Sequence, residues 1–275
     1  MEDEGWAGYI WDRSTIRLAV VLGGLLVFAI LTSISSYHYH QNNLERLYLE
    51  KTASAMLGTK VSIGGLYWRP AENTVTLTNI KIANPPGIDI PSAITITALR
   101  MRTDSISPSA MVFSQLTIAR TAIYLTVGSD TSNLTILHAN MNRTTPVLTA
   151  DGKPFMVVIK DVQTKEGMSM RTDVVPSDRQ FSPNDIEPLH LTGIGEKEKG
   201  IPVAQAVTWI IDRIIRDAFL TAARSGALES MSNNAVLDIK SNFDMGPDFV
   251  DLANRGIVIR RSQSGARGGF SRAHR

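Results

Sequence analysis

Hydrophobic and polar positions fall into three regimes along the chain. The first is Leu18 to Tyr37, "LAVVLGGLLVFAILTSISSY", twenty residues without a charge. At about 1.5 Å per residue this run matches a bilayer core of about 30 Å and predicts one membrane-spanning helix. Tyr9 and Trp11 before it, and Tyr37 and Tyr39 after it, stand where interfacial aromatic belts fall. A cleaved leader is the competing reading, because Ser33-Ile34-Ser35 is a small-x-small pattern. A long leader carrying Glu2, Asp3 and Glu4 favours the anchor. Arg13 and Arg17 are balanced by Arg46 and Lys51, and Arg17, nearest the span, favours a cytoplasmic N-terminus.

The second regime begins with apolar residues at helical spacing from Asn43 to Leu57, with Gly58 as a stop. The period then changes to two. Val61–Trp68, Thr74–Ala83, Ala93–Arg102, Val112–Val127, Phe155–Lys160 and Gly167–Val175 are rich in Val, Ile, Thr and aromatic residues and predict at least six strands. Within these runs the apolar parity switches. Val75 and Leu77 lie on one parity and Ile80 and Ile82 on the other; Leu116 and Ile118 are followed by Ile123, Leu125 and Val127. Two readings fit: a bulge that keeps one apolar face, or a sheet apolar on both faces with a concave side open to a ligand. Pro85, Pro86 and Gly87 end one strand at a turn, since proline cannot donate to a ladder, and Pro91 precedes the next strand.

The third regime is a helix from Ile201 to Ser225, with Pro202 in its first turn and Ser225-Gly226 at its close. Its apolar stripe includes Val207, Ile210, Ile211, Ile214 and Phe219. The other face carries mixed charge, with Asp212, Arg213, Arg216 and Asp217. The stripe suits packing on the sheet, a movable cover for its apolar face, or membrane contact. Ala235 to Phe243 reads as a further strand, Asp244 to Asp251 as an acidic loop, and the segment from Arg255 onward as a disordered basic tail.

Composition narrows the function. The chain has 275 residues, a net charge of +2, 43% hydrophobic and 20% charged residues, and no cysteine. That suits one sizeable core plus an appendage and excludes a disulfide framework, a thiolate metal site and a cysteine nucleophile. His38 and His40 are not matched in spacing by His138, His190 and His274, so no metal site is expected. Gly193-Ile194-Gly195 resembles a phosphate loop only superficially, because the G-x-x-x-x-G-K-[ST] pattern is missing. No catalytic motif emerges, and neither an enzyme nor a cofactor is expected. The small net charge argues against a global nucleic-acid binder, and the basic tail would reach RNA only if it faced the cytoplasm.

"LGTKVSIGGLYWRPAENTVTLTNIKIANPPGI" (Leu57 to Ile88) resembles the start of the periplasmic domain of the AsmA family, Ser132-Asn133-Leu134 with Ile136 and Leu137 resembles a later element of that family, and "IEPLHLTGIGEKEKGIPVAQAV" (Ile186 to Val207) is similar to a passage of its small members; in that order the resemblance covers roughly residues 18 to 225. Ile88 stands where that family usually has Phe, and Lys199-Gly200 where it has Gly-Gly. The resemblance implies a single-pass bacterial inner-membrane protein with its bulk in the periplasm. It also implies an α+β, mainly β fold: a curved antiparallel β-meander or groove with one long amphipathic helix packed on it. The expected divisions are a cytoplasmic N-terminus (1–17), the span (18–37), a juxtamembrane helix (38–58), the β domain (59–252, with its helix at 202–224) and the tail (253–275). Lipid handling or outer-membrane assembly is the implied role, with phospholipid as the partner and Val75, Leu77, Ile80, Ile82, Ile94, Ile96, Ile118, Ile123 and Leu125 as the lining of an apolar groove. Strands stack at about 4.8 Å, so seven or eight of them span roughly 35 to 40 Å, too short to cross a periplasm. A non-enzymatic assembly partner of a larger envelope complex, holding no lipid, is therefore the second expectation.

Overall fold

The computed structural model describes residues 43–88, 90–107, 109–142, 152–177 and 179–254. The expected membrane span, its flanking aromatic residues and histidines, and residues 255–275 of the basic tail lie outside the described residues. Among the described residues no helix is long and apolar enough to cross a membrane.

Residues 43–57 are helical (α1), and Gly58, at φ 60°, follows where the sequence placed the stop. Next come β1 (Val61–Arg69), β2 (Thr74–Ala83), β3 (Ser92–Ile106) and β4 (Ala110–Val127), each antiparallel to its predecessor. The expected meander ends there. β5 (Met156–Val174) runs parallel to β4, which requires a crossover connection, and the connection carries α2 (Asn133–Met141). β5 is also one strand of 19 residues rather than the two expected. The polar stretch between the two apolar runs keeps its alternation, with Val162 and Thr164 buried. β6 (Arg179–Ile186), β7 (His190–Ile194) and β8 (Ile201–Pro202) pair antiparallel with successive parts of β5. The fold is α+β with a curved, mixed sheet, not an all-antiparallel meander.

Three C-terminal expectations are corrected. Pro202 is the N-cap of α3 (Val203–Arg224), not part of its first turn; it pairs with Met156 in β8, while the Val203 N–H donates to the Phe155 carbonyl at 3.0 Å. The expected strand Ala235–Phe243 is helical instead: α4 spans Asn233–Asn242. The Ser232 side chain caps it by accepting from the Ala235 N–H at 3.3 Å. Ala235, Val236 and Ile239 are buried at i, i+1 and i+4, so a helical face is buried and strand propensity is overridden. Residues 249–254 are helical as well, where the end of an acidic loop and the start of the tail were expected, because Phe249 and Ala253 are buried one helical turn apart.

Apolar residues of α1 through α4 join one side of the sheet in a single core. The parity switch has one cause. The pairing register passes over Gly64, Asn79, Thr97 and Arg120, which lie opposite one another in four consecutive strands. Asn79 and Arg120 have φ of 51° and 30°, and β5 meets the same line with Glu166 at 64° and Gly167 at 80°. Inward residues on either side of this crease, such as Leu77 and Ile80 or Ile63 and Leu66, are three apart instead of two, yet share a face. A Cβ at Gly64 would stand 2.8 Å from the Asn79 Cβ, so glycine is required where the two strands close up. The bulge reading accounts for the pattern, and the reverse face is polar.

The free edge of β1 is covered by side chains rather than by a strand. Glu50 Oε1 accepts from the Ile63 N–H at 2.6 Å, and Ser54 Oγ accepts from the Val61 N–H at 2.8 Å. Arg46 donates to the Ile63 carbonyl at 2.9 Å and to Glu50 at 2.8 Å. Four-residue spacing puts all three on one stripe of α1, which runs antiparallel to β1. Replacing Glu50 with Ala strands the Ile63 N–H and is expected to cost about 2 kcal/mol, read by urea unfolding of the full chain in detergent. Lys51→Ala, on the exposed side of the helix, should stay within about 0.5 kcal/mol.

Candidate functional site

The proline corner is fastened from beneath by two asparagines. After β2 the chain turns through Pro85, Pro86 and Gly87, the last at φ 91°. Asn84 Nδ2 bridges the corner to the Ile90 carbonyl at 2.6 Å, and its Oδ1 accepts from Asn133 Nδ2 at 2.7 Å. Asn133, fully buried, also donates to the Tyr124 carbonyl at 2.7 Å and accepts from the Thr126 N–H at 2.9 Å. The Thr59 hydroxyl reaches the Ala83 carbonyl at 3.2 Å. Residues from "LGTKV", "NPPGI" and "SNL", three stretches far apart in sequence, thus meet at one end of the sheet. Asn133 can sit there because α2 starts beside it, with Ser132 and Thr135 forming a reciprocal capping box.

The expected lining residues share the inner face. Leu77, Ile80, Ile82, Ile94, Ile96, Ile118, Ile123 and Leu125 are buried, and Val75 is half-buried. Ile210, Ile211, Ile214 and Phe219 of α3 are buried in the same core, with Val207 partly buried against it. The two expected sets therefore pack in one core. α3 lies over β5, β6 and β8, and α2 lies against β4.

Beyond the crease, at the end of the sheet away from the proline corner, burial falls off. Trp68, Val75 and Met101 are cross-strand neighbours on β1, β2 and β3. Trp68 is 54% exposed, whereas Val75, Leu99, Met101 and Phe113 are half-buried against the core. This is an open apolar bay. Sequence reasoning selected only Val75 of the group. The signal for Leu99 and Met101 was present in their alternation with Arg100 and Arg102, but only the register aligns them with Trp68.

The reverse face carries Arg100, Arg102, Thr117 and Lys165 around a shallow hollow. Arg100 pairs with Glu72 at 3.1 Å, and Lys160 donates to Asp104 at 2.6 Å. The hydrogen bond with Lys160 holds the Asp104 carboxyl below its ordinary value and the Lys160 ammonium above its own.

Between α2 and α3 the mostly buried His138 meets Asp212 at 2.8 Å through Nδ1 and Asn142 at 3.0 Å through Nε2, with its ring against Phe243. With both nitrogens engaged, His138 ties α2 to α3. Among the described residues no group of three His, Asp or Glu side chains is placed to hold a metal ion.

Asn133→Ala removes three hydrogen bonds at a fully buried position and is expected to cost about 3 kcal/mol or more, against about 1 kcal/mol for Asn84→Ala. Urea unfolding of the two single variants and the double variant should show a coupling above about 0.5 kcal/mol, as partners in one network require. The chain matches no family model, and no curated protein or solved structure is similar to it.

Proposed function

We propose that this protein is an AsmA-like module, anchored in a bacterial inner membrane by residues 18–37, that handles phospholipid in the periplasm through the apolar end of its sheet. One observation carries this reading: Trp68, Val75, Leu99, Met101 and Phe113 continue the buried inner face into a half-exposed apolar bay. Contiguous exposed apolar surface of this kind marks contact with lipid or protein. The resemblance of Leu57 to Ile88 to the AsmA family favours lipid as the occupant.

The second reading is an assembly partner in an envelope complex, without lipid. The same bay would then receive an apolar side chain of another protein. Neither reading requires an enzyme or a cofactor.

A photo-crosslinking residue placed at Met101 or Phe113 of the full chain in its host membrane separates the two. Phospholipid adducts from both positions, with none above background from Thr117 on the reverse face, are expected. A single protein adduct at Met101 would establish the assembly role. Equal lipid labelling at Thr117 would mean that the bay has no preference for lipid. In parallel, Met101→Glu should abolish the adduct formed from Phe113 while leaving the thermal midpoint within a few degrees, because Met101 is only half-buried.

A further inference from the structure

We propose that the cleft between β7 and α3 binds an extended acidic peptide segment, which adds as a strand along the free edge of β7. β7 pairs with β5 alone, so no strand among the described residues occupies its other edge. The cleft, of about 440 Å³, is lined by four consecutive residues of β7, Leu191 to Ile194. Successive side chains of a strand alternate between faces, so a cavity touching four in a row runs along the backbone. Gly193, at φ 69°, turns the chain out of the strand, its carbonyl accepting from the Glu196 N–H at 3.2 Å with the Glu196 carboxylate beside it, so the added strand would pair with residues 190–192. Gly193-Ile194-Gly195, the phosphate-loop lookalike of the sequence, is not followed by a helix N-terminus, since β8 intervenes before α3.

The opposite wall supplies the charge. Trp209, Asp212, Arg213 and Arg216 face the cleft from one stripe of α3. Asp212 is engaged by His138 at 2.8 Å, and Arg213 by Asp217 at 3.1 Å. Arg216, half-buried, makes no ion pair among the described residues. An aspartate or glutamate on the added strand would complete it with a charge-assisted bond. Trp209, 43% exposed, offers an apolar platform for a neighbouring side chain. Free strand edge, cation and aromatic together favour a peptide over a simple anion. The cleft lies on the opposite flank of the sheet from Trp68, so this inference stands independently of the lipid reading.

The test is selection of short random peptides, displayed on phage, against the full chain in detergent. Enriched peptides should combine Asp or Glu with β-branched residues. A synthetic copy should bind about tenfold more weakly to Arg216→Gln, the loss of one charge-assisted bond, and more weakly again when a proline interrupts its centre. Amide exchange at residues 190–192 should slow in the complex. Arg216→Lys, which keeps the charge, should retain most of the affinity and controls for misfolding. Absence of enrichment, neutral consensus peptides, unchanged affinity in Arg216→Gln, or unprotected β7 amides would each overturn the proposal. So would displacement of the peptide by inorganic phosphate or by phosphatidylglycerol vesicles, either of which would make the cleft an anion site.

Discussion

The buried amide of Asn133 holds the parts of this fold in place. A strand that must return parallel to its neighbour needs a connection that leaves one end of the sheet and re-enters at the other. α2 begins that connection, and its first residue uses both amide hydrogens and its oxygen on β4 and on the proline corner. Burying an amide without partners would cost several kcal/mol. Its neighbours are therefore fixed as well: the end of β4, the start of α2 and Asn84. With α2 seated, Gly58 must remain a glycine, because a Cβ there would stand 2.6 Å from the Asn140 Cβ.

The sheet keeps all its helices on one side because the crease keeps its apolar residues there. Without the extra residue in β1 to β5, half of each of those strands would present its apolar set to the opposite face. Helices then close the inner face over β4 to β6 and leave the far end of β1 to β3 partly bare. The polar reverse face, with Arg100, Arg102 and Lys165, needs no cover. The bay is thus the place where the sheet extends beyond its helices.

Local patterns were legible to different depths. α1, its glycine stop, β1 to β4 and α3 follow from periodicity and turn residues, which are properties of neighbouring positions. The parity switch at Asn79 and Arg120 was visible too, but choosing between a bulge and a two-faced sheet requires the register of four strands. The parallel pairing of β5 could not be read, because no local pattern distinguishes parallel from antiparallel alternation. α4 misled through its short run of Val and Ile, where burial of a single helical face outweighs strand propensity. Eight of the nine expected lining residues are apolar by type and buried by position. The exposed end was hidden because Trp68, Val75 and Met101 become neighbours only across strands.

The crease also constrains how such a chain can diverge. Deleting Asn79 alone would turn half of β2 over while its partners stayed as they are, so single-residue insertions and deletions on this line are not independent events. Gly64, Asn79, Thr97, Arg120 and the Glu166-Gly167 pair form one structural unit, scattered over about a hundred residues of sequence. Among descendants of this fold, strand length should drift freely at the two ends of the sheet and stay frozen on both sides of that line.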